Sequence, residues 1–333
     1  MNFFSFIVPV FDRPDELGEL LSSIAMLSET DFEVIVVEDG SSISAEEVSL
    51  KFRPHFSVQY IVQSNSGPGY ARNKGAQYAK GNWLIFLDSD TILPKNYLTV
   101  LKKELETDDF DCFGGPDKAH DDFNPIQKAI GYAMTSFLTT GGIRGGAENM
   151  DKFYPRSYNL GVKKNIFDLL NGFSNMRFGE DLDFSMRLIE KGYKTRLLKE
   201  LYLFHKRRNN FCSFFKQVHN SGIARINLEM RHPNTIKLVH WLPTLFVAGH
   251  FVLIIMSIFF PVFLTLLSIV PIALFTDASL KHKNLKISIL SVAASFVQLF
   301  GYGTGFFKAF LLRKIFKKGE FHSFKQNFYG KQT

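Results

Sequence analysis

Cysteine is nearly absent: Cys112 and Cys212 are the only two in 333 residues. Two cysteines without metal-ligand spacing exclude a disulfide framework and a thiolate zinc site, and they fit a reducing compartment. The apolar run from Asn2 to Val10 has no basic lead-in and no small-residue cleavage site, so it reads as a first strand rather than a signal peptide. No motif that reads RNA or DNA is present, and the formal charge of +7 is modest and locally clustered, so nucleic acid is not an expected partner. Charge itself is missing late in the chain. From Trp241 to Phe275 no Asp, Glu, Lys or Arg occurs, and only His240 and His250 are titratable before Asp277.

That uncharged run is longer than one membrane span of about 20 residues, and Pro261 divides it. Lys286 to Leu312 is a second apolar run, interrupted by Gly301-Tyr302-Gly303-Thr304-Gly305. A purely internal helical core is the competing reading, disfavoured by the length and the low charge. Lys281-His282-Lys283 and Arg313 to Lys318 flank these runs, while His205-Lys206-Arg207-Arg208 forms a third basic cluster. Anionic lipid headgroups suit such flanks. If basic flanks mark the cytoplasmic side, both belong inside. Hairpins or an interfacial placement satisfy this, whereas three full spans put one flank outside. Membrane association follows; the number of spans does not.

The first 230 residues have a different texture. Phe3 to Val10, Phe32 to Val37, Val58 to Val62 and Trp83 to Leu87 read as strands. Between them Asp15 to Leu27, Ala45 to Phe52 and Tyr70 to Ala79 read as helices. Strands alternating with helices predict an α/β fold with a mostly parallel sheet flanked by helices. Pro94 to Leu105 follows as a helix, Asp111 to Gly114 as a short strand and Phe123 to Glu148 as a Gly-rich, less regular region. Leu182 to Glu190 and Asn210 to Met230 read as helices, and Tyr193 to Leu198 as a strand. Three regions result: an α/β domain over 1–230, membrane-associated hydrophobic helices over 231–318 and a basic tail over 319–333.

Acids stand where two strands end. Val34-Ile35-Val36-Val37 runs into Glu38-Asp39-Gly40-Ser41, and Phe86-Leu87 into Asp88-Ser89-Asp90. A carboxylate at such a place must be paired, solvated or bound to something, and open α/β sheets bind ligands at their strand C-termini. Asp-x-Asp offers hard oxygens to Mg²⁺ or Mn²⁺, although a capped turn is the commoner explanation of such a triplet when it stands alone. Gly67-Pro68-Gly69-Tyr70-Ala71-Arg72-Asn73 opens a helix whose N-terminus favours anions, with Arg72 as a fixed positive fork. Phe178-Gly179-Glu180-Asp181-Leu182-Asp183 places three acids in a first helical turn. Asp183 has Arg187 four residues on as a partner. Glu180 and Asp181 have no such local partner, so one is available as a general base.

Phe6-Ile7-Val8-Pro9-Val10, Val37-Glu38-Asp39-Gly40-Ser41, Gly69 to Gly75 with Ala71-Arg72-Asn73, Asp88-Ser89-Asp90 and Gly179-Glu180-Asp181 occur in order. Together, over about residues 4–205, they resemble the family 2 inverting glycosyltransferases with the nucleotide-sugar-binding A-type fold, in their membrane-associated bacterial form. The resemblance implies that Pro9 and Asp39 line the nucleoside pocket, that Arg72 lies beside the nucleotide and that Asp88 contacts ribose or the metal shell. It implies Asp90 as the direct metal ligand, His205 as a late ligand completing the metal or phosphate site, Asp181 as catalytic base and Glu180 as its helper. Glu38 departs from the pattern, which commonly has Asp there; base preference is the property this touches.

The implied reaction is metal-dependent transfer of a sugar from a nucleotide-sugar donor, UDP-linked by preference, to a hydroxyl of a lipid-linked or growing glycan. The metal is Mn²⁺ or Mg²⁺, the pathway is cell-surface polysaccharide synthesis, and the catalytic domain faces the cytoplasm at the bacterial inner membrane. Gly114-Gly115-Pro116-Asp117 and Gly141 to Gly146 are expected to form acceptor and lid loops, and Tyr158-Asn159-Leu160-Gly161 an acceptor wall. The alternative is a polyprenyl-phosphate glycosyltransferase, with His205 to Arg208 supplying cations for a phosphate acceptor. A sugar nucleotidyltransferase would need a Gly-rich basic loop after the first strand, which Phe11-Asp12-Arg13-Pro14 does not provide. A non-catalytic scaffold would have no need to keep Asp39, Asp90 and Asp181 together.

Overall fold

The computed structural model describes residues 2–118, 123–140 and 153–320. They fall into two compact units, one built from 1–118 with 150–205 and the other from 119–149 with 206–320.

The first unit is a sheet of seven strands in the order β3-β2-β1-β4-β8-β6-β9. In chain order it runs β1 (Phe4–Val10), α1 (Pro14–Ala25), β2 (Phe32–Asp39), α2 (Glu46–Leu50), β3 (Ser57–Gln63), α3 (Pro68–Tyr78), β4 (Trp83–Leu87), β5 (Thr91–Ile92), α4 (Tyr97–Thr107), β6 (Cys112–Gly114) and β7 (Asp117–Lys118). After the excursion into the second unit come β8 (Asn159–Lys163), α7 (Lys164–Leu169), α8 (Glu180–Glu190), β9 (Thr195–Leu197) and β10 (Leu203–His205). The four strands β3, β2, β1 and β4 are mutually parallel, as the alternation of strands and helices predicts. Every residue of β2 is buried, which suits a central strand covered on both faces. The period-2 pleat sorts side chains between two cores. Phe4, Phe6 and Val8 join Leu17, Leu20 and Ile24 of α1 on one face. On the other face Ile7, Ile35 and Phe86 meet Phe167, Phe173 and Phe184.

β8 went unread in the sequence, and it is the one strand that reverses the sheet, pairing antiparallel with both β4 and β6. Asn159-Leu160-Gly161 is therefore a buried strand and not an acceptor wall. It carries only two apolar side chains, Leu160 and Val162, too few for the alternation to register; Asn159 is held by the Tyr97 hydroxyl at 2.6 Å and donates to the Leu201 carbonyl at 2.8 Å. A second small sheet, β5-β10-β7, has strands of two or three residues, too short for periodicity to register.

The second unit is helical: α5 (Pro125–Thr135), α6 (Phe137–Thr140), α9 (Phe211–Arg231), α10 (Leu242–Phe259), α11 (Phe263–His282) and α12 (Leu285–Phe310). The region expected to be less regular from Phe123 onward thus opens with a well-capped helix. Asn124 and Gln127 form a reciprocal capping box with Pro125 in the first turn, a start signal present in the sequence. Gly141 to Gly146 lies outside the described residues. Gly301 to Gly305 does not interrupt the second apolar run; α12 continues through it. These glycines allow close helix packing. A Cβ on Gly305 would stand 2.1 Å from the His219 carbonyl oxygen, and one on Gly303 2.5 Å from that of Pro243. Among the described residues, three stretches are long and apolar enough to cross a membrane, namely Leu242–Phe259, Phe263–His282 and Leu285–Ile315.

In the sheet, a Cβ on Gly161 would stand 2.0 Å from the ring of Phe113. Gly161→Ala overpacks a rigid layer and is expected to destabilise by about 1–3 kcal/mol. Thermal unfolding of the detergent-solubilised protein should show the midpoint lowered by several degrees; an unchanged midpoint would mean that the sheet yields here.

Candidate active site

The sheet delivers its acids to one edge because β1, β2 and β4 are parallel and end together. Asp39 closes β2 and is 2% exposed. Its Oδ1 accepts from Gln63 Nε2 at 2.7 Å and from the Ser66 amide at 2.8 Å, and its Oδ2 accepts from the Gly67 amide at 2.7 Å. Gly67 has φ of 97°, a conformation that a side chain would strain, and this turns its N–H back onto the carboxylate just before Pro68 starts α3. The anion at the α3 N-terminus in this structure is thus Asp39 itself. Glu38, the departure from the family pattern, turns the other way. It accepts from the Ala45 amide at 2.7 Å, ahead of α2, and from the Tyr60 hydroxyl. Burial and that bond push the Tyr60 hydroxyl up to about 12. Pro9 is half-buried in β1 opposite Val37.

Asp88 and Asp90 follow β4, and His205 closes β10. His205 Nε2 is 3.1 Å from Asp90 Oδ1 and 3.9 Å from Asp88 Oδ2. The β10–β5 pairing fixes this, setting His205 opposite Thr91, one residue past Asp90. One ligand atom from each of the three residues lies within 4.8 Å of the others. Two carboxylates and an imidazole are a donor set suited to Mn²⁺, and the oxygens suit Mg²⁺. The residues therefore fit a divalent cation. Asp117 of β7, which the sequence offered only as part of a loop, stands with Oδ2 3.9 Å from His205 Nδ1. The Tyr158 ring lies 5.2 Å from that of His205, and its hydroxyl contacts Asp117 at 3.3 Å.

Three arginines balance this charge. Arg72, 3% exposed, donates to Asp88 Oδ1 at 2.6 Å and to Glu180 Oε1 at 3.0 Å, linking the end of β4 to the start of α8. Arg13 donates to Asp90 Oδ2 at 2.6 Å. Arg156 Nε donates to Asp181 Oδ2 at 2.7 Å, and the Leu182 amide donates to Asp181 Oδ1 at 2.8 Å. Asp183 pairs with Arg187 at 3.0 Å, as its spacing predicts. Sequence reasoning found Arg72 but not Arg13 or Arg156, which lie far along the chain from the acids they serve. The only available signal was the lack of a local partner for Glu180 and Asp181, which obliges a distant cation.

The adjacent acids titrate in opposite directions. Burial raises Glu180, the neighbouring Asp181 charge raises it further, Arg72 pulls back, and the result is about 7. Burial also works against ionised Asp181, but Arg156, with help from Arg72 and the Ser157 amide, holds it below the usual carboxylate range. Gly179, left-handed at φ 85°, starts α8 so that both acids enter at its first turn.

Residues 5–176 match the family model described as Glycosyl transferase family 2, and the chain belongs to that family. It is 28% identical over 218 residues, 62% of its own length and 70% of the relative's, to an uncharacterized glycosyltransferase of Haemophilus influenzae. The match to three rickettsial glycosyltransferases spans no more than 18% of their length. Among solved structures it resembles the mannosyltransferase PcManGT from Pyrobaculum calidifontis, in complex with GDP-Man and Mn²⁺ (TM-score 0.64, 14% identity, 89% of this chain and 87% of that one). It also resembles Staphylococcus aureus TarS 1–349 in complex with UDP-GlcNAc (TM-score 0.53, 18% identity, 94% and 92%). At these identities the likeness speaks for the A-type glycosyltransferase fold.

One pH dependence follows from Glu180. Unfolded, its carboxyl loses the proton near the ordinary value of 4.5; folded, near 7. The folded chain holds more protons between those values, so stability falls as pH rises through that window and levels off above it. Denaturation midpoints from pH 4.5 to 7.5 should therefore decline more in the wild type than in Glu180→Gln. Parallel pH profiles would show that Glu180 ionises normally.

Proposed function

We propose that this glycosyltransferase is a metal-dependent, inverting enzyme that moves a sugar from a UDP-linked donor to a hydroxyl of a lipid-linked or growing glycan. The observation that carries it is the convergence of Asp88, Asp90 and His205 at one sheet edge, with Glu180 tied to that edge through Arg72 and Asp181 next to it in the chain. Pro9 and Asp39 would line the nucleoside pocket, and Arg72 would flank the nucleotide. A bound Mn²⁺ or Mg²⁺, held by Asp88, Asp90 and His205, would supply charge neutralisation for the departing diphosphate. Asp181 takes the proton of the acceptor hydroxyl as that oxygen attacks the anomeric carbon from the side opposite the diphosphate, and one displacement inverts the configuration. Glu180 helps hold the acceptor or the base.

A carboxylate pair beside the acceptor favours a hydroxyl, which must lose a proton, over a phosphate that arrives ionised. The bound UDP-GlcNAc of TarS supports the UDP preference, and the GDP-Man of PcManGT marks the competing base. The three apolar helices and their basic flanks support attachment to the bacterial inner membrane with residues 1–230 as a catalytic domain facing the cytoplasm, 231–318 as the membrane-associated part and 319–333 as a basic tail. Cell-surface polysaccharide synthesis is the pathway such an acceptor and location imply.

A panel of nucleotide sugars, assayed with detergent-solubilised protein in Mn²⁺ or Mg²⁺ and again in EDTA, tests the reading. One donor should turn over with inversion, EDTA should abolish it, and Asp90→Ala should lower kcat/KM at least about 100-fold. Asp181→Asn should lower it about 10²–10⁴-fold, the usual contribution of a general base. Full turnover in Asp181→Asn, or none with any donor in the wild type, would overturn the proposal.

A further inference from the structure

The apolar helices of the second unit are unequally placed. α12 is enclosed. Along its length Ala294, Gly301, Phe306 and Ala309 pack on Phe214, Val218, Gly222 and Ile226 of α9, while Ala129, Ile130 and Ala133 of α5 join the same core. The stretch of α9 beside the midpoint of α12 carries Lys216, Gln217, His219 and Asn220, and Lys216 is exposed. A helix crossing a bilayer there would bring that ammonium to mid-membrane, where charge is strongly disfavoured.

α10 and α11 are different. Neither is enclosed, and the exposed side chains around their junction are large and apolar: Ile258 at 75%, Phe259 at 70%, Phe260 at 55% and Val262 at 65%. The turn itself, Phe260-Pro261-Val262, contains nothing polar. Its backbone is largely satisfied from within. Pro261 has no N–H, and the amides of Phe260, Phe263, Leu264 and Thr265 donate to Met256, Phe260, Pro261 and Val262 carbonyls at 2.9–3.1 Å. Backbone paired in this way tolerates hydrocarbon.

Both ends of the pair are fastened, one to α12 and the other to α5. Trp241 stacks edge-on to Phe306 and Phe310 at 4.9 and 5.0 Å, and Thr244 Oγ1 donates to the Gly303 carbonyl at 3.0 Å. At the other end Asp277 accepts from the Tyr132 hydroxyl of α5 at 2.6 Å and from Lys281 at 2.9 Å. The basic flanks Lys281–Lys283 and Arg313–Lys318 stand at the two ends of α12.

We propose that α10 and α11 form a re-entrant hairpin, entering and leaving one leaflet, with the Phe260–Val262 turn buried in acyl chains and α12 lying outside the hydrocarbon. The occupant of the exposed apolar faces is a lipid bilayer, and both basic flanks meet anionic headgroups of that same leaflet. Although arms of 18 and 20 residues are long enough to cross, a turn without a polar group has no reason to emerge. The inference rests on the membrane association proposed above.

Sealed membrane vesicles from expressing cells separate the possibilities. Val262→Cys, Lys283→Cys and Lys314→Cys are each labelled with a membrane-impermeant maleimide from either face, with the exposed native Cys212 of α9 as internal reference and mass-resolved readout. Lys283→Cys and Lys314→Cys should react from the face at which Cys212 reacts, within twofold of its extent. Val262→Cys should react at least tenfold less from either face, and freely once detergent dissolves the bilayer. Labelling of Lys283→Cys or Lys314→Cys from the opposite face would mean that α12 crosses. Labelling of Val262→Cys from the opposite face would mean that the hairpin crosses, from the Cys212 face that it is not inserted, and protection persisting in detergent that protein covers it. Each of these overturns the proposal. Recovery of the chain in the soluble fraction would instead defeat the membrane association itself.

Discussion

The first unit is organised around the need to give each carboxylate a partner where little water reaches it. Asp39, Glu180 and Asp181 are buried, and Asp88 and Asp90 only partly exposed, at the edge where three parallel strands end. Such a cluster is untenable without compensation, since an uncompensated buried charge costs several kcal/mol. Arg13, Arg72 and Arg156 provide it for four of the five, and backbone amides ahead of α3 provide it for Asp39. Arg72 matters most, because it ties the end of β4 to the first turn of α8. Without that bridge Asp88 and Glu180 would have no common partner.

The same compensation separates the chemistry of two neighbouring residues. Glu180 and Asp181 are adjacent and similarly buried, yet one is raised and the other lowered, because Arg72 divides its fork with Asp88 while Arg156 acts on Asp181. In the proposed mechanism Asp181 is thus ionised whenever an acceptor arrives, and Glu180 can carry a proton near neutrality. Environment, rather than residue type, sets the roles.

Much of this was legible in the sequence. The parallel half of the sheet announced itself through apolar runs alternating with helical spacing, and the ends of those runs named Asp39, Asp88 and Asp90. His205 could be named only through the family resemblance, and the short β10–β5 pairing is what brings it to the acids. What stayed hidden shares a physical cause. β8 carries only two apolar residues and its partners are distant in the chain, Arg13 and Arg156 are partners chosen by the fold, and the strands of the second sheet are too short to show a period. Gly301 to Gly305 misled in a different way: glycine reads as a break locally, but here it admits neighbouring backbones into contact with α12.

The central claim is that strand-end acids and a late histidine act together as one cation-dependent nucleotide site. Titration of Mn²⁺ against the protein with UDP present, followed by electron paramagnetic resonance, tests it most directly. The account predicts a single Mn²⁺ per chain in the wild type, with affinity reduced at least tenfold both in Asp90→Ala and in His205→Ala. Wild-type affinity in either variant would contradict it.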